Sequence, residues 1–180
     1  MFPLIGWLII ACEIGFWVFV LAGLATRYIW KKKKLSTFLL ICTPIVDLIL
    51  LIVTVFDLKN GTVATAIHGI AAIYIGISIA FGIQMIKWAD ERFKYRFGNG
   101  KKPVKIKHGK AHAKKEREGW CRHLLSWLIG GGILMGIISY INNHTQTEAL
   151  LRTMQFWSLI LIIDLIRSFS YTLFPKNEKA

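Results

Sequence analysis

LSTFLLICTPIVDLILLIVTVF, residues 35 to 56, decides the fold. As a helix rising 1.5 Å per residue, these 22 residues cover about 33 Å, enough to cross the roughly 30 Å hydrocarbon layer of a bilayer. Apart from Thr37, the polar positions of the stretch are Ser36, Thr43, Asp47 and Thr54, with Asp57 just beyond it. At about 100° per residue these five side chains fall within a sector of about 80°, so one face of the helix is polar along its length. A polar face on a lipid-spanning helix has to be covered by other helices, which predicts a bundle.

Working outward, four more stretches satisfy the same length criterion: Leu4 to Ile29, Val63 to Ile86, Leu124 to Ile141 and Thr153 to Phe174. The composition agrees, at 54% hydrophobic with a mean hydropathy of +0.50. The predicted fold is an all-α membrane protein: a single integral domain over residues 1–180 with five transmembrane helices. Trp30, Trp88, Trp120, Tyr140 and Tyr171 stand close to span ends, where amphipathic rings anchor at the interface. Met1-Phe2-Pro3 has no basic signal-peptide region, and the apolar run continues to Trp30, so the first span reads as a retained helix.

The formal charge of +13 would suggest nucleic acid in a soluble chain, but here it sits beside the spans. Arg27 and Lys31, Lys32, Lys33 and Lys34 follow the first span. Residues 87–123 carry thirteen more, among them Arg92, Lys94, Arg96, Lys101, Lys102, Lys110, Lys114 and Lys115. The remaining connections, Asp57 to Thr62 and Asn142 to Arg152, hold only Lys59 and Arg152. Every connection fits one orientation, N-terminus outside and C-terminus in the cytoplasm. Gly98-Asn99-Gly100 and Pro103 predict a partly ordered basic cytoplasmic loop over 87–123 rather than one helix. With Phe93, Tyr95 and Phe97 interleaved, this segment and Lys31 to Lys34 are expected to contact anionic lipid headgroups; no nucleic acid is expected.

Glu13, Asp47 and Asp164 lie about ten to twelve residues into their spans, which puts all three near the midplane. A charge there costs at least about 2.5 kcal/mol, so these acids are expected to face the bundle interior or a wet cavity. Arg167 is the basic side chain nearest to them in depth, and its i, i+3 spacing from Asp164 permits an ion pair. The fifth span carries Thr153, Trp157, Asp164, Arg167, Ser168 and Tyr171 on one side. Glu13, Asp47, Asp164 and Arg167 thus form a candidate midplane polar site, with Asp57 and His68 as candidate polar residues towards the outer side. Ala72, Gly76 and Ala80 follow His68 at four-residue steps, a small-residue ridge on which another helix packs closely. Gly132 and Gly136 form a G-x-x-x-G through which the chain could self-associate.

Metal and cofactor signatures are missing. Cys12, Cys42 and Cys121 form no C-x-x-C, and His108 and His112 are ringed by lysines that disfavour a divalent cation. No P-loop, H-E-x-x-H or G-x-S-x-G is present, and no catalytic residue or cofactor is assigned.

The string Cys42-Thr43-Pro44-Ile45-Val46-Asp47, together with Asp57, His68-Gly69, Lys87-Trp88-Ala89-Asp90-Glu91-Arg92-Phe93 and Ser170-Tyr171-Thr172-Leu173-Phe174-Pro175, resembles the YmcC-type integral membrane proteins of bacilli over nearly the whole chain. The resemblance implies a bacterial cytoplasmic membrane setting and transfers no catalytic residue. The leading reading of function is a non-catalytic membrane module that binds lipid or a partner protein. A small proton- or cation-coupled transport protein using the midplane carboxylates is the alternative, and an intramembrane lipid-modifying enzyme comes third.

Overall fold

A computed structural model of the chain describes residues 4–97 and 109–173. Five helices account for nearly all of them: α1 (Leu4–Tyr28), α2 (Lys33–Lys59), α3 (Ala66–Phe97), α4 (Gly109–Ile141) and α5 (His144–Leu173). Each contains a stretch long and apolar enough to cross a membrane, and no strand occurs among the described residues. The chain is an integral membrane protein of five helical spans.

Two expectations about connections change. Residues 87–97 and 109–123, read as loop, are helical, because α3 runs on to Phe97 and α4 starts at Gly109. Lys, Arg and Glu are good helix formers, so a helix outlasts the hydrocarbon it crosses. Gly98 to Gly100 and Pro103 lie outside the described residues. The second change is at Asn142, where the expected loop to Arg152 reduces to two residues. Asn142 adopts a left-handed φ of 50° after α4, and Asn143 caps α5, its Oδ1 accepting the Gln146 N–H at 3.3 Å and the Thr145 hydroxyl at 2.8 Å.

The helices pack as two compact units. The first comprises α1, α2 and α3 up to Ile75, with α4 from Gly130 and α5 up to Met154. Its core is Leu58, Ala64, Ala72, Leu134, Ile137 and Leu150. Close backbone approach is built in with glycine: a Cβ on Gly69 would lie 2.9 Å from the Thr153 side chain, and one on Gly23 would lie 2.9 Å from Leu40. Of the small ridge, Ala72 and Gly76 are buried and Ala80 half-buried. α2 turns Ser36, Thr43, Asp47, Leu50, Thr54 and Asp57 inward and leaves Phe38, Ile41, Ile45, Ile49, Ile52 and Phe56 exposed. That inverts the pattern of a helix in a water-soluble protein, as a lipid surroundings requires.

The second unit comprises α3 from Gly76, α4 up to Ile129 and α5 from Gln155. Side chains on α4 and α5 connect at successive levels: Trp127 Nε1 donates to Ser158 Oγ at 3.0 Å, Trp120 Nε1 to the Leu161 carbonyl at 3.2 Å, and Arg117 to Thr172 Oγ1 at 2.9 Å. Partners on α5 rise in number as those on α4 fall, so these helices run antiparallel.

Candidate functional site

The most completely connected polar group in the first unit surrounds the turn between α2 and α3. Asp57 stands in the last turn of α2 and His68 in the first of α3; both are buried. Thr65 precedes α3, and its backbone N–H donates to His68 Nδ1 at 2.9 Å. The third helical residue reaching back to the cap's amide is the geometry of a capping box, with histidine in the place usually taken by Glu or Gln. The Thr65 hydroxyl also lies 2.9 Å from Nδ1.

This backbone donor fixes the tautomer. Nδ1 must present its lone pair to the Thr65 N–H, so the ring proton is on Nε2, which donates to Asp57 Oδ2 at 3.3 Å. The other carboxylate oxygen accepts the Thr62 hydroxyl at 2.9 Å. Gln146 of α5 closes the turn: its side-chain amide donates to the Leu58 carbonyl and to the Thr62 carbonyl, the latter at 2.8 Å, and its backbone carbonyl accepts the Ala64 N–H at 2.8 Å. Thr62 and Gln146 thus connect the Asp57–His68 pair to the cap of α5.

The second unit holds a pair of the same kind. Trp157 donates its indole N–H to His123 Nε2 at 3.2 Å, which leaves the ring proton on Nδ1, donated to Asp164 Oδ2 at 3.0 Å. Neither histidine has a spare lone pair. A general base needs one within hydrogen-bond reach of the proton it removes, so both pairs are built as clasps rather than as proton-abstracting dyads.

The expected residues therefore fall into different situations. Asp57 and His68 come together. Asp164 gives its carboxylate to His123, and Arg167, whose spacing permits an ion pair with Asp164, is exposed. Asp47 is buried at 1% exposure, and its Oδ2 has no hydrogen-bond partner among the described residues. Glu13 is on α1 with its side chain outside the described residues. Lys31 to Lys34 and Arg92 are exposed; the side chain of Lys94, and Lys101 and Lys102 altogether, lie outside the described residues. Arg92 sits over the Trp88 ring, 4.7 Å from its centroid. Gly132 and Gly136 are exposed, with nothing within 4 Å of a Cβ built on either. His112 packs edge-on against Tyr171 at 4.8 Å, and His108 lies outside the described residues. Thr65, Gln146 and His123 were not singled out by the sequence, whereas Trp157 was placed on the same side of the fifth span as Asp164. Only Thr65 carried a local signal, as a capping residue three positions before His68.

Over 177 residues, 98% of this chain and 95% of the relative, the sequence is 51% identical to a protein of Bacillus subtilis (strain 168) described as the uncharacterized membrane protein YmcC. The chain belongs to the YmcC family of membrane proteins. No family model matches, and no solved structure does. Membership in the YmcC family agrees with the five spans and leaves the chemistry to be argued from the residues themselves.

Proposed function

We propose that this YmcC-family chain is a non-catalytic module of the bacterial cell membrane that holds anionic lipid headgroups on its basic helix ends. One observation carries the reading: α3 and α4 extend past their apolar stretches as helices studded with cations. Lys110, Lys114 and Lys115 are exposed on the first turns of α4, and Arg92, on Trp88, is exposed on the last turns of α3. Helical spacing spreads these charges over a surface, and each cation near an anionic leaflet contributes about 1 kcal/mol. The closed state of both histidine–aspartate clasps supports a structural rather than catalytic use of those acids.

The orientation proposed with it is N-terminus outside and C-terminus inside, so that Lys31 to Lys34 and the cations of α3 and α4 face the cytoplasm. Self-association through Gly132 and Gly136 belongs to the same proposal, since exposed glycines let a second helix come close.

The test is native mass spectrometry of the full chain after equilibration with anionic and zwitterionic lipids. Retention of anionic lipid, lost when Lys110, Lys114 and Lys115 are replaced by Gln, is the expected result. Equal retention of both lipid classes would overturn the reading. Orientation is tested separately, by membrane-impermeant maleimide on cells carrying Lys32→Cys or Thr145→Cys; Thr145→Cys alone should react from outside.

A further inference from the structure

Asp57 and Asp164 are each held by a histidine, but Asp47 is not. It lies on the inward face of α2, buried at 1% exposure, with Oδ2 unpartnered among the described residues. On the same face Ser36 Oγ and Thr54 Oγ1 are likewise buried without a hydrogen-bond partner. From Ser36 to Asp57 the polar file runs about 31 Å along the helix, close to the thickness of the hydrocarbon layer. An isolated ionised carboxylate in such surroundings is strongly disfavoured, so its charge has to be neutralised.

No described basic side chain forms an ion pair with it. Lys59 is hydrogen-bonded to the Tyr140 hydroxyl, Arg152 to Glu148 and His68 to Asp57. Leu50, one turn after Asp47, packs with Ala71 of α3 and Cys12 of α1. Titratable groups on those two neighbouring helices are Cys12, Glu13, Arg27 and Tyr28 on α1, and His68, Tyr74, whose ring stacks on Phe16, and the cluster from Lys87 to Arg96 at the far end of α3; the side chain of Glu13 lies outside the described residues.

The turn before Asp47 supplies oxygen. Pro44 has no N–H to give the Leu40 carbonyl, and the Thr43 hydroxyl donates to that carbonyl instead, at 2.8 Å. With its proton committed, Thr43 offers lone pairs one helical turn from Asp47. Among the described residues no group of three or more His, Cys, Asp or Glu could hold a metal ion, which points away from a multivalent ion.

We propose that Asp47 is the acceptor for a monovalent cation, a proton or an alkali ion, on the buried polar face of α2, with the Thr43 oxygen beside it. The site is independent of the lipid-binding reading, which uses none of these residues.

The test begins with the full chain in detergent and sodium-free buffer, treated with dicyclohexylcarbodiimide, which adds a protonated carboxyl across its C=N bond. Adducts are located by mass spectrometry. Modification of Asp47 and not of Asp57, whose oxygens are both occupied, is expected. Slowing by about tenfold when sodium reaches ten times its Kd, with choline inert, identifies an alkali ion. Slowing with rising pH and indifference to sodium identifies a proton. Asp47→Asn gives the second measurement: the melting temperature of the unsubstituted chain should shift with sodium or pH, and the shift should vanish in the variant. Modification of Asp57 in preference to Asp47, or an absent adduct with the same melting response in both proteins, would overturn the proposal.

Discussion

Replacing Asp57 by Ala removes the acceptor of two hydrogen bonds at once. The Thr62 hydroxyl is half-buried and recovers water, but the Nε2–H of His68 is buried and cannot turn elsewhere, because the Thr65 N–H holds the ring by its other nitrogen. An orphaned buried donor costs about 1–3 kcal/mol, while hydrogen bonds between membrane helices average only about 0.6 kcal/mol. The stranded donor is the larger effect, so the expected loss is about 2 kcal/mol, roughly 30-fold in the ratio of folded to unfolded protein. His68→Ala should cost a similar amount. The double variant should cost less than the two combined by about 1–2 kcal/mol, since nothing is left stranded when both partners go. Unfolding in a graded sodium dodecyl sulfate series, followed by tryptophan fluorescence, measures all four proteins. Effects that add to within about 0.5 kcal/mol would refute the clasp.

Gly69→Ala should destabilise the first unit by about 1–3 kcal/mol, the usual cost of overpacking, and Thr153→Ala should restore most of it, as read by the same denaturation series. Trp157→Phe removes the donor to His123 Nε2 and should cost about 1–2 kcal/mol, measured by thermal melting in detergent. Gly132→Leu and Gly136→Leu meet open space, so each should fold normally while lowering energy transfer between labelled copies in liposomes if that face associates; unchanged transfer would remove it as an interface.

The spans were legible because crossing hydrocarbon demands long apolar runs, and the inward face of α2 because its polar side chains recur at helical spacing. The meeting of Asp57 with His68 was half legible: both were placed near one end of their helices, but nothing in the spacing revealed Thr65 as the donor that sets the ring. Helix ends were not legible. Hydropathy marks where a helix leaves apolar surroundings, not where its backbone stops, which is why 87–97, 109–123 and 144–152 prove helical. Of the His123–Asp164–Trp157 clasp, Trp157 and Asp164 were legible on one side of the fifth span; His123 escaped because it is far from both in sequence and sits at the edge of a basic segment whose charges dominated the reading. Depth along separate helices says how far down a side chain lies, not which way it points, so Arg167 looked like the natural counter-ion of Asp164.

The inverted pattern of α2 also separates two events in the life of the chain. Between Leu35 and Phe56 there are fifteen Leu, Ile, Val and Phe residues; at about −0.3 to −0.6 kcal/mol each they favour insertion by roughly 5 to 9 kcal/mol, against about 3 kcal/mol for Asp47. The helix can therefore leave the translocon for lipid unaided, while its polar face stays unfavourable there until α1 and α3 cover it. Membrane entry is driven by the side that ends up touching lipid, and recognition of the neighbouring helices by the side that ends up hidden. A substitution on one side should leave the other step intact: Asp47→Leu would enter the membrane more readily yet give α2 less reason to choose its place among the helices.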